Sequence, residues 1–134
     1  MKTENFEEFY QKIGNLINQM IPENWTKTYL CAQIFGSLSQ VFFYYRTTHN
    51  EIKYSLDIPN YTNSNNFDSL EYELYNTCTQ LQAEFVKQNQ TKWTSFTFIL
   101  DSLGKMNIDF SYDDISNEDP VQLHEKWYKK TVVT

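Results

Sequence analysis

The sequence predicts an α+β domain in two layers, with an antiparallel sheet of about five strands in two hairpin groups and helices packed on it, in the order α-β-β-β-α-β-β-α. Two segments of about twenty residues carry apolar side chains three and four positions apart, which is typical of amphipathic helices. Two groups of shorter segments alternate apolar and polar residues around tight turns, which favours β-hairpins. With 134 residues, of which 40% are hydrophobic, the chain has the length of one domain, so residues 1–134 are expected to form one.

The first helix is predicted from Phe6 to Ile21, because Pro22 lacks the amide hydrogen that a helix interior requires. Gly14 costs this helix about 1 kcal/mol relative to alanine, which indicates a close approach of a neighbouring element. The apolar stripe consists of Phe6, Phe9, Tyr10, Ile13, Leu16, Ile17, Met20 and Ile21.

Three strands are predicted next. Lys27–Phe35 and Leu38–Thr47 are rich in aromatic and β-branched residues and form a hairpin. The second strand is apolar at every position of Val41–Tyr45, so both of its faces require burial and it is expected to be central in the sheet. The third strand is predicted over Glu51–Ile58 and ends at Pro59.

The second half of the chain begins with a polar loop at 60–66 and continues as the longest helix, predicted from Phe67 to Gln88. A second hairpin follows, with strands at Trp93–Leu100 and Lys105–Tyr112. Asp119 precedes a proline and a glutamine at the positions that a helix start favours, so a short final helix is predicted there.

Few residues support enzyme chemistry. The three glycines form no phosphate-binding loop, and Cys31 and Cys78 are too far apart for a Cys-x-x-Cys metal motif, so no cofactor and no metal site are predicted. Both thiols are expected to be reduced and partly buried. The one catalytic alternative is a small hydrolase that uses Asp113, Asp114 and His124, and a solvated turn is the simpler interpretation of the two carboxylates.

The net charge and the N-terminal sequence limit the partners and the compartment. The chain has a net charge of −6, which disfavours direct binding to nucleic acid or to an anionic membrane. The N-terminus is acidic, and no apolar stretch is long enough to cross a bilayer. We therefore expect a cytoplasmic protein.

Negative charge is concentrated between residues 101 and 119, where six carboxylates accompany a single lysine. Such a surface accelerates association with a basic protein, although it can also serve only to keep the chain in solution. The residues predicted to contact a partner are the carboxylates Asp109, Asp113, Asp114, Glu118 and Asp119 and the aromatic anchors Tyr112 and Trp127.

Several stretches together resemble a known family. They are Ile21–Trp25 with the sequence Ile-Pro-Glu-Asn-Trp, Trp93–Thr97, Gly104–Met106, and Asp109–Ile115, which contains Tyr-Asp-Asp. In the same order along most of the chain, they resemble the YezG-like immunity protein family, which includes the EsaG-type antitoxins.

The resemblance implies a cytoplasmic antitoxin without enzymatic activity, which binds a nuclease toxin destined for type VII secretion and neutralises it stoichiometrically. The implied partner is a basic nuclease. Two alternatives are an adaptor or secretion chaperone that holds the toxin without inhibiting it, and the small hydrolase described above.

Overall fold

A computed structural model describes residues 4–62 and 66–133, so part of the predicted polar loop, residues 63–65, lies outside the described residues. The elements confirm the predicted α+β order. They are α1 (Glu4–Met20), β1 (Trp25–Phe35), β2 (Leu38–Thr47), β3 (Ile52–Tyr54), a 3-10 helix (Ser55–Asn60), α2 (Phe67–Lys87), β4 (Ser95–Asp101), β5 (Met106–Ser111) and α3 (Pro120–Thr131).

The five strands form one antiparallel sheet in the order β3-β2-β1-β4-β5. The two predicted hairpin groups are joined because β1 pairs with both β2 and β4, which places Leu30 between Phe43 and Phe98. The central strand is therefore β1 rather than β2, which was predicted to be central; β2 lies next to β1 and is paired on both edges.

The β4–β5 hairpin closes through a turn in which Gly104 has a φ of 91° and donates its amide to the carbonyl of Asp101, at 3.0 Å. The Asp101 carboxylate accepts the amides of Leu103 and Lys105, each at 2.9 Å. A glycine in a left-handed conformation at this position is a common way to close a short hairpin.

The main core lies between one face of the sheet and the helices α1 and α2. The apolar stripe of α1 is buried as predicted, with Phe9 partly buried. A Cβ added to Gly14 would lie 3.3 Å from Cδ2 of Leu100, which confirms the predicted close approach. Apolar residues of the sheet complete this core: Leu30, Ala32, Phe43, Tyr45, Phe96 and Phe98.

The last helix, α3, packs on the opposite face of the sheet. Its His124 ring stacks on Phe42, with 3.8 Å between the ring centroids, and the Trp127 indole N–H donates to Thr97 Oγ1 at 2.8 Å. Asp119 caps the helix as predicted, accepting the Gln122 amide at 3.1 Å. Helices therefore cover both faces of β2, which explains its unbroken apolar run.

The third strand is shorter than predicted. Pairing with β2 ends at Tyr54, and the segment predicted as the second half of the strand, up to Ile58, is a 3-10 helix. The reason is Ser55, whose hydroxyl accepts the Phe43 amide at 3.1 Å, in place of a backbone carbonyl of a longer strand. Pro59 lies within the 3-10 helix.

Candidate partner-binding surface

Five predicted contact residues form what we call the acidic surface, defined as Asp109, Asp113, Asp114, Glu118 and Asp119. Asp109 lies on β5, and the others lie on the connection from β5 to the cap of α3. All five side chains are exposed. The structure thus presents these carboxylates to solvent on one continuous stretch of chain, as a surface for a basic partner requires.

Two of these carboxylates shape their own loop. Asp114 accepts the Ser116 amide at 3.0 Å and the Ser116 hydroxyl at 2.6 Å, and these hydrogen bonds lower the pKa of Asp114. Asp119 caps α3. Among the described residues, the carboxylates of Asp109, Asp113 and Glu118 have no hydrogen bond or ion pair. These three are therefore the carboxylates most available to a partner.

The predicted aromatic anchor Tyr112 lies beyond the end of β5 and is 51% exposed. The pKa of Tyr10 on α1 is raised mainly by burial, then by the Glu7 carboxylate and then by Tyr112, so Tyr112 lies close to α1. Successive strand residues point to opposite faces. Tyr112 therefore lies on the α1 side of the sheet, whereas Asp109 lines a groove against α3.

The other predicted anchor, Trp127, is half-buried and attaches α3 to the sheet. Besides its hydrogen bond to Thr97, its ring meets Phe42 edge-on, with 5.3 Å between the centroids. The remaining edge of the ring lines a groove of about 620 Å³ that Asp109 and Lys130 also line. Its structural role is thus visible, and its contact with a partner stays a prediction.

His124 packs against the sheet and does not share a described pocket with Asp113 or Asp114. Its Nε2 lies 2.7 Å from the Tyr44 hydroxyl, and burial lowers the pKa of His124. The groove beside His124 is lined by residues of β2 and α3, and neither Asp113 nor Asp114 is among them. The three groups that the hydrolase alternative requires are therefore not gathered in one described pocket.

The cysteines and other metal-ligating side chains form no cluster in the described part of the chain. Cys31 and Cys78 are both free and buried, as expected, and burial raises the pKa of both thiols. Within residues 4–62 and 66–133, no three His, Cys, Asp or Glu side chains are grouped for metal binding, and no helix is long and apolar enough to cross a membrane.

The Ile-Pro-Glu-Asn-Trp stretch after α1 has a structural role. The Glu23 carboxylate accepts the Tyr45 hydroxyl at 2.8 Å and the Lys53 ammonium at 2.9 Å. The Trp25 indole N–H donates to Asn18 at 3.0 Å. The lysine hydrogen bond contributes most to lowering the pKa of Glu23. This stretch therefore ties α1 to β2 and β3.

One surface was not predicted from the sequence: a groove at the start of α2 that Leu56, Glu71 and Tyr72 line. Two signals pointed to it. Glu71 and Tyr72 lie outside the apolar spacing of Phe67, Leu70 and Leu74 in α2, and Leu56 lies in the segment predicted as a strand that is a 3-10 helix.

Comparison with known proteins gives concordant matches. The family model described as "Immunity protein YezG-like" matches residues 6–133. Proteins named "Immunity protein YezG" from Bacillus spizizenii and Bacillus subtilis are each 38% identical to the chain, over 86% and 81% of its length and 73% and 74% of theirs. The "Type VII secretion system protein EsaG" of Staphylococcus aureus is 31% identical over 95% of the chain and 80% of its own length.

Proposed function

Because this chain belongs to the YezG-like family of immunity proteins, we propose that it neutralises a cognate nuclease toxin by binding it stoichiometrically in the cytoplasm of the producing cell. The chain acts as a single binding domain with no reaction of its own. The similarity to a type VII secretion system protein supports a toxin that is exported by that system.

The observation that carries the nuclease assignment is the acidic surface. A nuclease must bind a phosphate backbone, so its substrate channel is basic. All five carboxylates of the acidic surface are exposed, and none has an ion pair among the described residues. Complementary charge of this kind accelerates association, and nearby exposed aromatic side chains such as Tyr112 slow dissociation.

Co-expression with the nuclease domains of type VII toxins tests the proposal. The chain should restore growth to cells that make its cognate toxin, and the purified pair should bind one to one with loss of nuclease activity. Binding to the toxin's export region without inhibition would identify an adaptor or secretion chaperone and overturn the proposal.

The electrostatic part is tested by Asp109→Lys with Asp113→Lys, since neither carboxylate holds a local turn. The association rate should fall by at least about tenfold at low salt and converge with wild type at high salt. Glu8→Lys with Glu51→Lys makes the same change in net charge at two other exposed positions. Equal slowing by both pairs would show that only net charge matters.

A further inference from the structure

A second recognition site is suggested by the groove that was not predicted from the sequence, which we call the α2 groove. It has a volume of about 400 Å³ and lies between β2, the 3-10 helix and the first turns of α2. The residues that matter here are Tyr54, Leu56, Asp68, Glu71, Tyr72 and Tyr75. The volume is within the range of about 300–1,000 Å³ that is typical of small-ligand pockets.

The rim of the α2 groove is apolar and exposed. Leu56 is 50% exposed and Tyr72 is 69% exposed, so two large apolar side chains flank one opening. Tyr75 is fixed behind them by a hydrogen bond between its hydroxyl and that of Ser39. Apolar side chains gathered around a concavity, rather than scattered singly, are typical of a protein-binding site.

The charge in the α2 groove has one sign. Its lining includes Asp68 and Glu71 and no lysine, arginine or histidine. Glu71 is half-buried, and among the described residues its carboxylate has neither an ion pair nor a hydrogen bond. Burial, and then the neighbouring Asp68, raise the pKa of Glu71. A half-buried carboxylate in this state is stabilised by an added cation.

Glu23 is a glutamate for which the chain itself supplies a cation. It accepts both Lys53 and Tyr45, and its pKa is lowered. No described residue gives Glu71 a comparable partner, so a cation at Glu71 would have to come from elsewhere.

The α2 groove also adjoins the acidic surface. Gln40 lines the groove, and its side-chain amide donates to the carbonyl of Pro120 at 3.2 Å. Pro120 directly follows Asp119 of the acidic surface. The groove therefore lies near the Asp119 end of the acidic surface, whereas Asp109 lies on β5, at the opposite edge of the sheet from β3.

We propose that the α2 groove receives a segment of the partner protein in which an arginine or lysine lies beside an apolar side chain. The cation meets Glu71 and Asp68, and the apolar side chain covers Leu56 and Tyr72. That the partner is a toxin rests on the function proposed above, but the chemistry of the occupant rests on the groove alone.

The chemistry is tested without a toxin by titrating the isotope-labelled chain with the peptide acetyl-Leu-Arg-Tyr-Arg-amide and following amide NMR signals. At millimolar peptide, the signals of Leu56 and of residues 68–75 should shift, and the peptide with glutamate in place of arginine should leave them unchanged. Glu71→Gln should weaken binding by about fivefold, as expected for one partly buried ion pair. Glu8→Gln, on an exposed face of α1, is the matched control.

Three results would overturn the inference. The first is an unshifted groove in the titration, and the second is equal weakening by Glu71→Gln and Glu8→Gln. The third is a dimer in solution that Tyr72→Ala dissociates, because the groove would then bind a second copy of the chain.

The cognate toxin separates this inference from the proposed function. Tyr72→Ala should increase toxin dissociation by about tenfold while the fold is retained by circular dichroism, as expected for loss of an aromatic anchor. Unchanged dissociation would overturn the groove as a toxin site and leave the antitoxin function intact. Peptide binding without neutralisation of any toxin would overturn the antitoxin function and support the groove chemistry.

Discussion

Replacing Trp127 with alanine should release α3 from the sheet. A Trp→Ala change at a fully buried position lowers the free energy of unfolding by about 3–5 kcal/mol. Trp127 is half-buried, so the loss of its packing should cost about 2 kcal/mol. Loss of the bond to Thr97 adds about 1 kcal/mol, and the higher helix propensity of alanine returns about 0.5 kcal/mol. We expect a net decrease of about 2–3 kcal/mol in the free energy of unfolding.

Urea unfolding followed by circular dichroism measures this change without depending on tryptophan fluorescence. Trypsin gives a second measure, because α3 contains Lys126, Lys129 and Lys130, which become cleavable when the helix detaches. Val121→Ala is the control on the same helix, since Val121 is exposed and its loss should cost within about 0.5 kcal/mol. Equal urea midpoints and equal cleavage for the two variants would show that the aromatic contacts do not hold α3.

Three further predictions concern buried or paired polar groups. Burial lowers the pKa of His124 below its ordinary 6.5, so the contribution of neutral His124 to the free energy of unfolding is complete above pH 6.5 and is lost as the pH falls through the lowered pKa. His124→Gln should therefore reduce the drop in urea midpoint between neutral and mildly acidic pH, and an unchanged drop would contradict this role of His124. The pKa of Glu23 is below its ordinary 4.5, so the contribution of its ion pair to the free energy of unfolding is present above pH 4.5 and is lost as the pH falls through the lowered pKa. Glu23→Gln should reduce the urea midpoint near neutral pH, and the midpoints of variant and wild type should converge in strong acid; a difference that is constant with pH would refute the ion-pair argument. The side-chain amide of Gln82 donates to the carbonyls of Ile34 and Trp93, at 3.0 and 2.7 Å. Gln82→Met should lower the free energy of unfolding by about 1–3 kcal/mol. The control is Gln80→Met at an exposed position of the same helix, and equal free energies of unfolding for the two variants would contradict the prediction.

The helices and hairpins were predictable because their signals are local. The spacing of apolar residues in α1 identifies its buried face. Asp101 accepts a backbone amide within its own hairpin turn, and Asp119 caps α3, so both aspartates act within a few residues of their own position. The early end of β3 was not predictable from alternation, since it depends on a hydrogen bond between Ser55 and Phe43, two residues on different strands of the predicted sheet.

The placement of α3 shows what the sequence pattern leaves open. The spacing of Leu123 and Trp127 marks one side of a helix but does not say which face of the sheet it covers. The run Val41–Tyr45 required cover on both faces, and α3 supplies the second. For the candidate site, the exposure of the carboxylates was predictable from their charge, and their contact with a partner stays a prediction. The packing role of Trp127 depends on a contact with Thr97, 30 residues away in the sequence.

The sheet ends at β5, whose outer edge has no strand beside it in the described part of the chain. Unpaired edges invite copies of a protein to join strand to strand, and a charge in the middle of the edge opposes this. In a two-fold pairing of copies centred near Asp109, the two carboxylates would lie close together and repel each other. The carboxylate that we propose for contact with a basic partner would therefore also oppose strand-to-strand association between identical copies of the chain.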